Sequence, residues 1–436
     1  MTTVQASRPG RVVASSLIGT VIEWYEFYIY GTAAALVFDK LFFPKFDSFM
    51  GTLLSLSTFA IAFVARPVGA AIFGHYGDRL GRKTLLVVSL VSMGGATFLI
   101  GVLPTYSAIG VAAPVILVAL RLIQGLSLGG EYGGAVLMSI EHTKVHRRGL
   151  TGGIINSGAS LGLILATAVF GLVSLLPDAA FMSWGWRIPF LLSVVLLVLG
   201  LFIRLRVAES PEFTAVRATN TIERLPIRTA VTSHGREIVL MALAYLPTGV
   251  IFYLAAVFSL SYSTKTLDLS RPVMLTILCI TNAIAIVGLV YFGWLSDFKN
   301  RKLIYQLGIA GMLVTPWIWF VMMNTKSYTT IFFAFLVLLL PQVASYGTMP
   351  AYFTHVFPPR IRYTGMSLGY SLGTIIGSGL SPLIATALLG KTNNWPAVAI
   401  FITALNLIAL LATFGLRERH VAEPAIAAHI PSPTTA

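Results

Sequence analysis

Twelve long apolar stretches follow one another along the chain, at 12–38, 49–73, 84–103, 112–138, 150–175, 186–206, 237–260, 272–296, 303–323, 329–353, 363–389 and 396–416. About 20 apolar residues are enough for a helix to cross the hydrocarbon layer of a bilayer. In lipid, a single apolar segment satisfies its own backbone hydrogen bonds only as a helix. Composition agrees: of 436 residues, 56% are hydrophobic and 11% charged, against about 25% charged in a soluble domain. The expectation is an all-α integral membrane protein of twelve transmembrane helices.

With both termini placed in the cytoplasm, the cytoplasmic segments receive 21 of the Lys and Arg residues and the outer loops 7, while Arg66 and Arg121 fall within spans. That bias sets the orientation and accounts for the net charge of +14 without nucleic acid. The single cysteine, Cys279, lies in an apolar run, so no disulfide framework or cysteine-based metal site is expected. Only about eleven polar residues precede a first span too long for a signal-peptide core, so no cleaved leader is expected. One long polar loop, 207–236, separates an N-terminal six-helix bundle (12–206) from a C-terminal six-helix bundle (237–416), followed by a cytoplasmic tail (417–436). The halves echo one another: GHYGDRLGRK after the second span matches GWLSDFKNRK after the eighth, and RRGLTGG matches RIRYTGMSLG. Parallel repeats of this kind are common in secondary transporters, whose substrate site lies near the midplane between them.

GHYGDRLGRK fits a long loop signature, with Gly74, Asp78, Arg79, Gly81, Arg82 and Lys83 all in place. On this loop the chain resembles the major facilitator superfamily. Four further stretches, EWYEF (23–27), RPVGAAIFGHYGDRLGRK (66–83), RLIQGLSLGGEYGGA (121–135) and SWGWRIPFLLS (183–193), resemble its metabolite:proton symporter family. AALVFDKLFFP, the second-span stretch and YSTKTLDLSR most resemble the shikimate-transporting branch. The resemblance implies two six-helix bundles in the major facilitator fold, with the first and fourth spans facing a central cavity. Three departures stand out: Glu26 where the family usually has aspartate, Asn300 where the second loop signature has glycine, and a tail without the heptads of osmosensing carriers.

Three acids, Glu23, Glu26 and Glu131, fall within spans, and intramembrane ionisable residues are functional-site candidates. Ser16, Gly19, Glu23, Glu26 and Tyr30 share one helix face, as do Arg121, Gln124, Leu128 and Glu131. Arg121 is expected to meet Glu26 in the cavity, with Glu23 nearby and Arg66 pairing with Glu131. Burial disfavours a carboxylate and a guanidinium favours it, so an anionic substrate that occupied Arg121 would hand Glu26 a proton. The competing account is a structural ion pair. Trp24 and Tyr30 are expected to reach the cavity, opposite Tyr245, Thr248, Asn282 and Gln342. Gating is assigned to Asp78, Arg79, Arg82, Asp297, Arg301, Glu141, Arg147 and Arg148, where charges face helix ends.

Three G-x-S-x-G matches (125–129, 158–162 and 365–369) lie in membrane helices and read as helix-packing glycines, not hydrolase elbows. Glu141, His142 and His146 lie in a basic loop and are not taken as metal ligands, and His355 is read as structural. The expected function is proton symport of a small polar metabolite, an organic acid such as shikimate, by a monomer in the bacterial inner membrane with no cofactor beyond the proton gradient. A zwitterion such as proline or betaine is the alternative substrate. An enzyme would need a catalytic constellation near one surface and a drug exporter a Gly-Pro pair in the fifth span, and neither is present in the sequence; a channel would show a continuous polar lining and uncoupled flux, which uptake with and without a proton gradient separates.

Overall fold

In a computed structural model, each of the twelve apolar windows is occupied by helix. The structure describes residues 9–80, 82–129, 136–137, 139–140, 143–205, 226–358 and 361–418, with backbone alone for 9, 11–12, 74–80, 82–86, 204 and 226. The spans are α1 (Pro9–Leu36), α2 (Ser48–Leu80), α3 (Arg82–Val102), α4 (Ala112–Leu128), α5 (Arg148–Val173) and α6 (Ile188–Leu205). The second half follows with α7 (Ile227–Thr266), α8 (Arg271–Leu295), α9 (Arg301–Met323), α10 (Tyr328–Phe353), α11 (Arg362–Thr392) and α12 (Pro396–Gly415). Among the described residues, nine helices are long and apolar enough to cross a membrane, and Val87–Val102 and Ala112–Leu128 are shorter apolar ones. The 28-residue α1 stands apart from both groups, because Glu23, Glu26 and its Trp/Tyr run lower its hydropathy.

Within the first half, α1 packs on α5 and α6, α2 on α4, and α3 on α4 and α6; within the second, α7 packs on α11 and α12, and α10 on α8 and α9. Lipid is as apolar as leucine, so close backbone approach is what holds such helices together. At the α2–α4 crossing a Cβ on Gly125 would overlap the Ala62 carbonyl, and one on Gly69 would overlap Leu126. This backbone-to-backbone contact brings the buried Arg66 and Arg121 into one helix pair. The Gly125 and Gly158 matches to the hydrolase pattern both lie against a neighbouring helix, α2 and α1 respectively.

Two of the spans contain π-helical turns. In α7, Leu254–Phe258 and Tyr262–Thr266 wind as π-helix, and in α11 Ile375–Leu380 does so. Such turns cluster at functional sites because they re-aim side chains. Two of them, Leu254–Phe258 and Ile375–Leu380, pack against α1 and α2 respectively across the interface between the halves, where Gly31 meets Val257 and Gly379 meets Phe63.

Both described chain ends, Pro9 and Glu418, belong to one end of the bundle, called here the near face; the opposite end is the far face. At the near face α5 and α8 lie glycine to glycine, through Gly149 and Gly153 against Gly293. The Asp297 carboxylate accepts from the Gly149 and Leu150 amides at 2.6 and 2.9 Å. An anion at a helix N-terminus fills amides that have no partner within the helix. At the far face Lys265 of α7 joins Asp39, and Arg271 of α8 meets Asp178 at 3.3 Å. The halves are therefore bridged at both ends.

Candidate functional site

Midway between the faces, a pocket of about 10 Å³ lies between the halves, lined by Trp24 and Tyr28 of α1, Ala159 of α5, Tyr245, Thr248, Phe252 and Tyr253 of α7, and Gln342 and Tyr346 of α10. That is about the room one water needs. Aromatic rings dominate its walls. Trp24 stacks on Tyr28 at 5.5 Å, Tyr28 leans on Phe252 at 5.4 Å, and Tyr245 meets Tyr370 edge-on at 4.8 Å. The Tyr245 hydroxyl is held by Ser378 at 3.1 Å, whereas the buried Tyr28 and Tyr253 hydroxyls make no hydrogen bond to the described residues. An unmet buried hydroxyl costs about 1–3 kcal/mol, and a polar ligand between these two would meet both.

Behind the α1 wall lies a chain of buried polar groups. The Arg121 guanidinium is fully buried and sits 3.8 Å from the centre of the Tyr30 ring, with Phe27 and Phe59 at 5.1 and 5.4 Å. It donates to Gln124 Oε1 at 2.7 Å and to the Phe59 carbonyl at 3.1 Å. Gln124 Nε2 donates to Thr97 Oγ1 at 2.7 Å, and the Thr97 hydroxyl donates to Glu26 Oε2 at 2.8 Å. Thr97 Oγ1 also lies 2.9 Å from the Met93 carbonyl. A hydroxyl has one hydrogen, so Thr97 serves Glu26 or Met93 but not both at once. Glu26 Oε1 has no hydrogen-bond partner among the described residues.

This geometry corrects several sequence expectations. Arg121 and Glu26 do not form an ion pair; Gln124 and Thr97 stand between them, because the guanidinium is drawn onto the aromatic rings of Phe27, Tyr30 and Phe59. Arg66 pairs with Glu23 at 4.0 Å and lies over Phe27 and Phe63 at 4.7 and 4.6 Å. The expected Arg66 partner, Glu131, lies outside the described residues. Trp24, Tyr245, Thr248 and Gln342 line the pocket, but Tyr30 does not: its hydroxyl bonds Thr58 at 2.6 Å within the first half. Arg121 and Gln124 are likewise absent from the pocket wall, and Asn282 turns its amide back to the Leu278 carbonyl of its own helix at 2.9 Å.

Among the gate residues, Asp297 caps α5 as described, and Arg301 donates to the Ala351 carbonyl at 3.3 Å beside His355. Arg147 is exposed and Arg148 half-buried at the near face. Burial, and after it the Arg301 charge, push the His355 imidazole down to about 4, so it is neutral near pH 7. The side chains of Asp78, Arg79 and Arg82, and all of Glu141, lie outside what the structure describes. Sequence reasoning missed Thr97, Tyr28, Phe252, Tyr253 and Tyr346. Thr97 carried a weak signal as a hydroxyl within the apolar third span; the aromatics carried none, since a ring in an apolar window also packs against neighbours.

Comparison with known proteins places this geometry. The family model described as Major Facilitator Superfamily matches residues 16–368. The inner membrane metabolite transport protein YhjE of Escherichia coli is 41% identical, over 94% of this chain and 95% of its own. The shikimate transporter of the same organism is 36% identical over 95% and 96%. The glycine betaine/proline/ectoine/pipecolic acid transporter OusA of Dickeya dadantii is 29% identical over 96% and 85%. In three dimensions the chain is similar to a D-xylose-proton symporter, with a TM-score of 0.72 at 18% identity over 93% and 96% of the two chains. The chain is thus a membrane transporter and not an enzyme, and it belongs to the major facilitator superfamily, alongside that superfamily's metabolite transport proteins.

Proposed function

We propose that the protein is a proton-coupled symporter that takes up a small organic acid, such as shikimate or a related carboxylate, by alternating access. One observation carries the reading: Glu26 is a buried carboxyl with one oxygen unpartnered and the other tied, through Thr97 and Gln124, to a buried guanidinium. A proton arriving on Glu26 Oε2 turns that oxygen into a donor. Thr97 then gives its hydrogen to the Met93 carbonyl, and the change reaches Gln124 and Arg121. The same helix carries Trp24 and Tyr28 into the pocket, so the state of Glu26 and the shape of the pocket wall are linked through α1. On the substrate side, Arg66 keeps Nε and Nη2 without hydrogen bonds one ring behind Tyr253, by way of Phe63. A carboxylate entering past Tyr253 meets that guanidinium. Arg66 thereby takes the anion-binding part that the sequence suggested for Arg121.

In this reading the near face is cytoplasmic in a bacterial inner membrane, one monomer suffices, the two six-helix bundles rock about the pocket, and the proton gradient is the only energy source. A second reading keeps the fold and carries a zwitterion. It is favoured by the four-ring wall of Trp24, Tyr28, Phe252 and Tyr253, which suits a quaternary ammonium, and by the resemblance to OusA. Uptake into proteoliposomes separates them. Shikimate accumulates when a proton gradient is imposed and only equilibrates when it is collapsed. Betaine accumulation without any carboxylate uptake would transfer the assignment to the second reading.

A further inference from the structure

Two stretches distant in sequence, AALVFDKLFFP and YSTKTLDLSR, meet at the far face and contribute one contact each to a bridge between the halves. The Lys265 ammonium, on the π-helical turn Tyr262–Thr266, donates to Asp39 Oδ2 at 2.6 Å and to Thr52 Oγ1 at 2.7 Å. An ammonium has three hydrogens, so one N–H of Lys265 remains. Asp39 is 5% exposed and its Oδ1 has no hydrogen-bond partner, whereas the Lys265 side chain keeps 27% exposure.

The open side of Lys265 faces a cavity of about 310 Å³, separate from the central pocket. Ligand sites start at about 300 Å³. Lys265 is the one charged residue among its lining groups. Around it stand the hydroxyls of Ser48, Ser261, Thr266 and Thr386 and the amide of Asn393. The Thr386 hydroxyl is buried and unpartnered. One cation among hydroxyls suits a small hydroxylated carboxylate.

We propose that this far-face cavity is a loading site for a small carboxylate, which binds by taking the Lys265 ammonium from Asp39 and so unlatches the two halves. The ligand first meets the remaining N–H, then competes with Asp39 Oδ2 for the rest of the ammonium. Asp39 and Thr52 belong to the first half and Lys265 to the second, so the exchange weakens a bond between halves at the moment the ligand arrives. The ligand class rests on the organic-acid reading above; the latch does not.

The test is the spacing of the halves at the far face. Spin labels are placed at Phe46→Cys and Asn394→Cys, exposed positions on opposite halves outside the cavity lining, in full-length protein carrying Cys279→Ser. Pulsed electron resonance then reads the distance distribution. Shikimate is expected to raise a longer-distance population that its methyl ester does not raise. Asp39→Asn is expected to raise the same population with no ligand present, and Lys265→Gln to raise it and abolish the response to shikimate. The Glu26→Gln variant, impaired in coupling, keeps the shikimate response. An unchanged distance in Asp39→Asn overturns the proposal whatever the ligand does. If shikimate accumulates in vesicles yet leaves the distance unmoved, the loading site is overturned and the organic-acid reading stands. If shikimate shifts the distance but is not transported, the reading fails and the loading site stands.

Discussion

In the first half of the molecule Glu23, Glu26, Asp39, Arg66 and Arg121 are all buried; in the second half, among the described residues, no charged side chain is buried, and the pocket wall is Tyr245, Thr248, Phe252, Tyr253, Gln342 and Tyr346. A charge at the centre of a bilayer costs roughly 2.5–3.5 kcal/mol on insertion scales. Two repeats of common architecture would share that cost if charge served only packing. Its concentration on α1, α2, α4 and the short helical turn carrying Asp39 puts the buried charge in one half, while the other supplies most of the pocket wall. The Arg121–Gln124–Thr97–Glu26 chain lies wholly within the first half, so the proposed rocking of the halves would leave its bonds intact and change only what reaches it.

The sharpest way to break this division is to remove the Glu26 charge. Glu26→Gln should reduce gradient-driven accumulation by at least about 100-fold, the scale on which positioned acid–base groups act. Counterflow exchange of labelled for unlabelled substrate across the same vesicles should survive. Loss of both would show that Glu26 holds the fold and does not couple.

A separate effect, read as stability rather than uptake, should come from the neighbouring ion pair. Arg66→Gln leaves Glu23 buried without its guanidinium, at a cost of about 3–5 kcal/mol, read as a lower melting temperature in detergent. Adding Glu23→Gln should recover most of that loss, since two neutral amides do not repel or strand each other. A double variant no more stable than the single would mean the pair contributes packing alone.

The smallest effects should separate the halves. Thr97→Val removes the hydroxyl between Gln124 and Glu26 and should cost about 1–3 kcal/mol, shifting the pH profile of uptake while leaving KM near its original value. Gln342→Ala on the opposite wall should do the reverse, raising KM with the pH profile unmoved. The same change in both variants would erase the distinction between the halves.

Much of the fold was legible from composition and the spacing of apolar stretches, because each span needs a long, mostly apolar run. The π-helical turns of α7 and α11 were not legible: Leu254–Phe258 reads as ordinary apolar helix, and only packing against α1 selects the wider turn. In the site, Glu26 and Arg121 were identifiable because charge within a span has few structural uses. Their partners were not. Helix spacing placed the two on facing surfaces, but the choice between a direct pair and a Gln124–Thr97 bridge depends on how far the α2–α4 glycine contact draws Arg121 toward Phe59. The Glu23–Arg66 pair was missed for the same reason, since depth alone pointed Arg66 to Glu131.

The central claim, that substrate entry is tied to a proton carried by Glu26, is tested most directly by recording luminal pH in proteoliposomes after an external pulse of shikimate at zero imposed gradient. The account predicts luminal acidification in step with shikimate entry, abolished in Glu26→Gln. Shikimate entry with no pH change in the unmodified protein, or acidification undiminished in Glu26→Gln, would contradict it.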